Sequence, residues 1–222
     1  MSELRSMLIG PNQRAALQEA SDIYANQMDQ SLLDYLEGRG IGHSVAVGAS
    51  LGLVVEPLPG HESYRGCLSI PYVRKSGVVA LKFRRLRDGN GPKYLALPNQ
   101  RPRMYNVNDL HLFSRYVVIT EGELSALVSS KVVGIPSVGV AGTNMWYPHM
   151  ARLFEDYEKV FIVTDNDGTT DEDGEPSKGQ GLARKIQKDI KGAVNIMPPT
   201  GLDLDEWVLA DGVEAVRKGI LG

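Results

Sequence analysis

Residues 159–167 read Lys-Val-Phe-Ile-Val-Thr-Asp-Asn-Asp, and residues 116–121 read Tyr-Val-Val-Ile-Thr-Glu. Each is a short apolar run, rich in β-branched residues, that ends on a carboxylate. Runs apolar throughout, without alternation, suit strands buried on both faces, as in parallel sheets. Outward from them, the pattern predicts a helix over about 123–131, a strand over 136–140 and a helix over roughly 146–156. A long polar loop, a helix near 180–190, a strand over 193–197 and a helix over 205–219 complete the half. Strand alternating with helix implies a parallel sheet.

Ligands of such sheets bind beyond the carboxyl ends of the strands. Glu121 follows the first strand, Asp165 and Asp167 the third, and Asp203 and Asp205 the fourth. Residues two apart in an extended segment point the same way, so each Asp-x-Asp pair can aim two carboxylates at one place. Carboxylates that close repel unless a hard cation such as Mg²⁺ or Mn²⁺ neutralises them. Such a metal holds phosphates, lowers the pKa of an attacking hydroxyl and stabilises a leaving oxygen. One Asp-x-Asp alone is equally well a polar turn or a helix cap. Three acidic motifs at three strand ends argue for metal. Gly179-Gln180-Gly181 then opens a helix whose N-terminus could receive phosphate or could be a plain helix start.

The first half reads differently. Residues 11–38 have helical spacing and stop at Gly38 and Gly40; residues 51–55, 66–73 and 77–86 read as strands, and 89–92 as a turn. The expected architecture is α/β, with a mixed α+β subdomain over 1–112 and a parallel-sheet subdomain over 113–222. Net charge is −3, but residues 74–103 hold nine Lys and Arg against the single acid Asp88. A basic stretch beside an acidic metal motif suits an enzyme that acts on a polyanion. Cys67 is the only cysteine, which rules out an internal disulfide and a cysteine-rich zinc site. No apolar run is long enough to span a bilayer and the start lacks a secretory pattern, so a cytoplasmic protein is expected. His43, His61, His111 and His149 lack metal spacing, and Trp146 and Tyr147 read more simply as packing than as base-stacking residues.

Glu121-Gly122, the Asp165-Asn166-Asp167 triplet and the Val140-Ala141-Gly142-Thr143 turn resemble the Toprim domain of bacterial-type primases, topoisomerases and some nucleases. Gly201-Leu202-Asp203-Leu204-Asp205 resembles a further segment of the primases. So do Tyr35-Leu36-Glu37-Gly38-Arg39-Gly40-Ile41, residues 66–86 and Gly91-Pro92-Lys93-Tyr94-Leu95. The chain is thus similar to a bacterial-type DNA primase catalytic core of a phage-like kind, without the zinc-binding and helicase-binding modules. The resemblance implies RNA primer synthesis from ribonucleoside triphosphates on single-stranded DNA. Catalysis would fall to Glu121, Asp165 and Asp167. Mg²⁺ or Mn²⁺ would be held by those three with Asp203 and Asp205. Arg39, Arg84, Lys93 and Arg103 would bind template or triphosphate. A replicative helicase or a separate zinc-module protein would be partners, and no membrane. A Toprim nuclease and a non-catalytic accessory protein are the alternatives. One departure stands out: Ser125 occupies a position where the family often has aspartate.

Overall fold

The computed structural model describes residues 9–87, 91–166 and 177–222. The chain forms two compact units: residues up to Gly38 with Gly42–Arg101, and Arg39–Ile41 with Pro102–Gly222. The division falls earlier than 112, and one tripeptide of the first half belongs to the second unit. The reason for the earlier division is visible at Tyr105. Its N–H donates to the Gly139 carbonyl at 2.8 Å, which ties the segment after residue 101 to the parallel sheet.

The first unit begins with helices α1 (Pro11–Ala25), α2 (Gln30–Glu37) and α3 (His43–Gly48). The single helix expected over 11–38 is two, because the Asp29 side chain caps the second by accepting from the Leu32 N–H. Strands β1 (Gly52–Leu53), β2 (Cys67–Arg74), β3 (Gly77–Arg85) and β4 (Tyr94–Ala96) make an antiparallel sheet in that order. Helix α1 lays Leu17, Ala20 and Tyr24 on a core with Val54, Tyr64, Val78, Leu81 and Phe83. The Tyr64 and Phe83 rings stack 4.0 Å apart.

The second unit holds β5 (Tyr116–Thr120), α4 (Glu123–Val128), β6 (Ser137–Gly139), β7 (Lys159–Val163), α5 (Lys178–Asp189), β8 (Val194–Ile196), α6 (Leu204–Asp211) and α7 (Val213–Leu221). Its sheet has the order β6-β5-β7-β8, and every pairing is parallel. The helix expected over 146–156 is a 3₁₀ segment, Pro148–Phe154. The one expected over 205–219 breaks at Gly212, where φ +83° and ψ 162° cannot continue a helix. Val117, Ile119, Val160 and Ile162 face a core completed by Trp146, Phe154, Leu182 and Ile186. Val118 and Phe161 on the opposite face are buried too, as continuous apolar strands require. Among the described residues no helix is long and apolar enough to cross a membrane.

Candidate metal centre and nucleic-acid interface

The register of β5 on β7 sets the site. Thr120 lies opposite Val163, so Glu121 and Asp165 leave adjacent parallel strands at the same edge of the sheet. The Gly142 N–H donates to the Glu121 carbonyl at 3.1 Å and holds the turn after β6 against the end of β5. Asn166 is buried and donates from Nδ2 to the Pro198 carbonyl at 2.6 Å. Its backbone N–H reaches the Leu202 carbonyl at 3.2 Å, and its own carbonyl accepts from Gly201 at 2.8 Å. These three bonds fasten the loop that carries Asp203 to the segment that carries Asp165. Asp167 lies outside the described residues.

Asp203 is the N-cap of α6. Its Oδ1 accepts from the Glu206 N–H and the Glu206 carboxylate accepts from the Asp203 N–H, both at 2.9 Å, a reciprocal capping box. Arg39 Nη2 donates to Asp203 Oδ2 at 2.8 Å and also to Asp205 Oδ2. Asp205 is fully buried. Burial pushes its pKa up to about 6; the Arg39 guanidinium opposes that rise, the Asp203 charge adds to it, and the Ser125 hydroxyl lowers it. Ser125 therefore faces this acidic cluster. The pair Asp203 and Asp205 does converge, but on a guanidinium contributed by the tripeptide 39–41.

Among the described residues no three His, Cys, Asp or Glu side chains gather into a group that encloses a metal. The half-exposed carboxylates of Glu121 and Asp165 are hard oxygen donors at an open edge. They fit Mg²⁺ or Mn²⁺, which commonly keep several waters or take substrate phosphates as the remaining ligands. Asp203 and Asp205 share the single positive charge of Arg39. Glu123, two residues after Glu121 and the first of α4, is buried, and its charge acts on Tyr105. Burial, followed by the Glu123 and Asp109 charges, holds the Tyr105 phenol above its usual pKa.

The basic stretch divides along β3. Arg84 is buried; its Nη1 donates to the Tyr94 hydroxyl and its guanidinium lies over the rings of Tyr94 and Tyr35. Arg85 points elsewhere. With Arg65 and Arg87 it lines a cavity of about 770 Å³, whose lining also includes Tyr35, Leu53, Cys67 and Asp29. Lys93 is exposed, and its carbonyl accepts from the Arg85 N–H at 2.9 Å. Arg103 is half-buried in the second unit.

No protein-family model matches the chain. A curated relative, the Gene 57 protein of Mycobacterium phage D29, is 41% identical over 162 residues, which are 71% of this chain and 99% of that protein. The chain belongs to the family of that phage protein. Its fold is that of a DnaG primase catalytic core. The Aquifex aeolicus primase fragment with zinc-binding and RNA polymerase domains matches with a TM-score of 0.70 and 18% identity over 95% of this chain. This chain spans 61% of that fragment. A DnaG primase catalytic domain bound to single-stranded DNA matches with a TM-score of 0.68 and 20% identity, covering 95% of this chain and 82% of that one.

Against this primase-core fold, the sequence reading of Glu121 and Asp165 has both at one sheet edge, with Asp203 and Asp205 tied in by Asn166. The cavity arginines Arg65, Arg85 and Arg87 are not among the four basic residues the resemblance singles out. Arg85 and Arg87 were in the basic run, and strand alternation separates Arg84 from Arg85. Nothing in the sequence says which of the two meets Tyr35 and Tyr94. Arg65 lies outside the run altogether.

Proposed function

We propose that the chain is a DNA primase that makes short RNA primers on single-stranded DNA by metal-assisted nucleotidyl transfer. The observation that carries this is the gathering of Glu121, Asp165 and the Asp203–Asp205 motif at the carboxyl edge of a parallel sheet, on a primase-core fold. Glu121 and Asp165, with Asp167, would hold Mg²⁺ or Mn²⁺. Such a cation would supply charge neutralisation for the triphosphate and activation of the primer 3′-hydroxyl. Arg39 is a positioning residue: it fixes Asp203 and Asp205, and Asp203 in turn starts α6.

The template lies along the basic unit. The cavity at Arg65, Arg85 and Arg87 takes the phosphate backbone, with Tyr35 available to stack on a base, and exposed Lys93 adds a further phosphate contact. Arg84 serves that surface indirectly, by ordering Tyr35 and Tyr94. Arg103 contributes to triphosphate or template binding from the second unit. A replicative helicase or a separate zinc-module protein raises the local concentration of template and stimulates the enzyme.

The test is synthesis from labelled ribonucleoside triphosphates. The expected products are short RNAs that need template, all four triphosphates and Mg²⁺ or Mn²⁺. Strand cleavage without triphosphates and with no RNA made would instead assign the edge to a nuclease. Binding with neither activity, even with helicase or zinc-module protein added, would make the chain an accessory protein.

A further inference from the structure

Helix α5 starts in an unusual way. Ser177 stands at its N-cap with extended backbone (φ −51°, ψ 156°), yet the hydroxyl makes no cap bond. Ser177 is only 7% exposed, and its Oγ has no hydrogen-bond partner among the described residues. A capping serine ordinarily accepts from one of the first helical N–H groups, which have no acceptor within the helix. Here both the hydroxyl and those N–H groups are left without that bond.

A second hydroxyl converges on the same turn. Thr164 is 2% exposed, its Oγ1 also has no partner among the described residues, and it lies 3.1 Å from where a Cβ on Gly179 would stand. The Gln180 amide accepts from Asn195 through Oε1, while its Nε2 has no partner among the described residues. The helix end is pressed onto the acidic edge: a Cβ on Gly179 would come within 2.9 Å of the Asp165 carbonyl oxygen, so only glycine permits this approach. Around Gly181 there is open space. Thr164 and the turn that opens a twelve-residue helix thus pack together beside Asp165, and the same turn carries the Ser177 hydroxyl and the Gln180 amide. The exposed Lys178 adds a positive charge at the first helical position. Excess donors at the positive end of a helix suit an anion.

We propose that the N-terminus of α5, with Ser177, Thr164 and Gln180, is the subsite for the terminal phosphates of the nucleoside triphosphate. The proposal rests on the reading of Glu121 and Asp165 as the nucleotide-bearing edge, and it adds the part of the chain that holds the end of the substrate farthest from the base. Thr164 links the two, since it precedes Asp165 directly. The pyrophosphate released on transfer then leaves from the helix end.

The experiment measures inorganic pyrophosphate binding by calorimetry on the full chain with Mn²⁺ and without DNA. Ser177→Asp supplies a capping carboxylate that occupies the same donors. It is expected to raise the melting temperature by about 2–4 °C and to weaken pyrophosphate by at least about tenfold. Thr164→Val, which keeps shape and removes the hydroxyl, is expected to weaken pyrophosphate by about fivefold. Wild-type chain that binds no pyrophosphate, or both variants binding it within about twofold of wild type, would overturn the subsite. Template-dependent RNA synthesis is read separately. Pyrophosphate binding by a wild-type chain that makes no RNA, lost in Ser177→Asp, would uphold the subsite and remove the polymerase reading. RNA synthesis with pyrophosphate binding and triphosphate KM both unmoved by Ser177→Asp would do the reverse.

Discussion

In the antiparallel sheet, charge is distributed along one strand and sorted by alternation; in the parallel sheet, it collects at a single edge and is sorted by partners. On β3 the neighbours Arg84 and Arg85 have different fates. Arg84 is buried against Tyr35 and Tyr94, and Arg85 lines the basic cavity. At the carboxyl edge of β5 and β7, Glu121 and Asp165 remain half-exposed, whereas Asp205 is fully buried on Arg39. Equal charges close in sequence thus divide into those left accessible to solvent and those buried in the framework. Burial and partner, more than position in the chain, tell them apart.

The largest effect should come from the edge itself. Asp165→Asn is expected to lower RNA synthesis by roughly 10²–10³-fold, measured as product per enzyme at saturating Mn²⁺. Melting of the metal-free variant should be unchanged or higher, because one charge leaves a repulsive cluster. Near-normal turnover would move the catalytic centre elsewhere and break the comparison on its acidic side.

Next comes the framework pair. Arg39→Ala leaves Asp205 buried without its cation and should cost about 3 kcal/mol in chemical denaturation. Adding Asp205→Asn should recover much of that loss, as coupled partners do. A second reading of the same pair uses pH. The folded pKa of Asp205 is about 6, above the usual carboxylate value near 4. The folded state therefore binds a proton that the unfolded state has released. Stability from this group is full below about pH 4, falls as pH rises toward 6, and is level above it. Asp205→Asn should remove that slope from a plot of stability against pH; an unchanged slope would assign the titration to another group.

The smaller effects sharpen the basic side. Arg85→Ala with Arg87→Ala should weaken single-stranded DNA binding by about tenfold near 0.1 M salt, and lower the slope of log affinity against log salt by about 1.4. Arg84→Ala should cost about 1–2 kcal/mol of stability instead, through lost packing and a lost hydrogen bond to Tyr94. Its salt slope should stay put. Arg84→Ala flattening the slope as much as the double variant would erase the division along β3.

Much of this was legible in the sequence. The apolar runs 116–120 and 159–164 marked the central strands, and the acids after them marked the edge, since both signals are local. The cap at Asp29 and the break at Gly212 were missed because helical periodicity continues through them; capping and backbone conformation interrupt it. Strand β4 has only three residues and follows a proline, too little pattern for a strand reading. The pairing of Arg39 with Asp203 joins residues 164 apart and leaves no local trace. The Asp203–Asp205 repeat suggests an extended pair by its spacing, but Asp203 is a cap and Asp205 lies in the first turn of α6. For the same reason, Ser125 read only as a missing carboxylate, whereas its hydroxyl faces Asp205.

The central claim is that the carboxyl edge of the parallel sheet is the metal-bearing catalytic centre. The most direct test is anomalous scattering from crystals soaked in Mn²⁺ under conditions in which the protein makes RNA. The account predicts manganese bound by the Glu121 and Asp165 carboxylates, with Arg39 still joined to Asp205. Manganese bound elsewhere, with Glu121 and Asp165 unliganded, would contradict it.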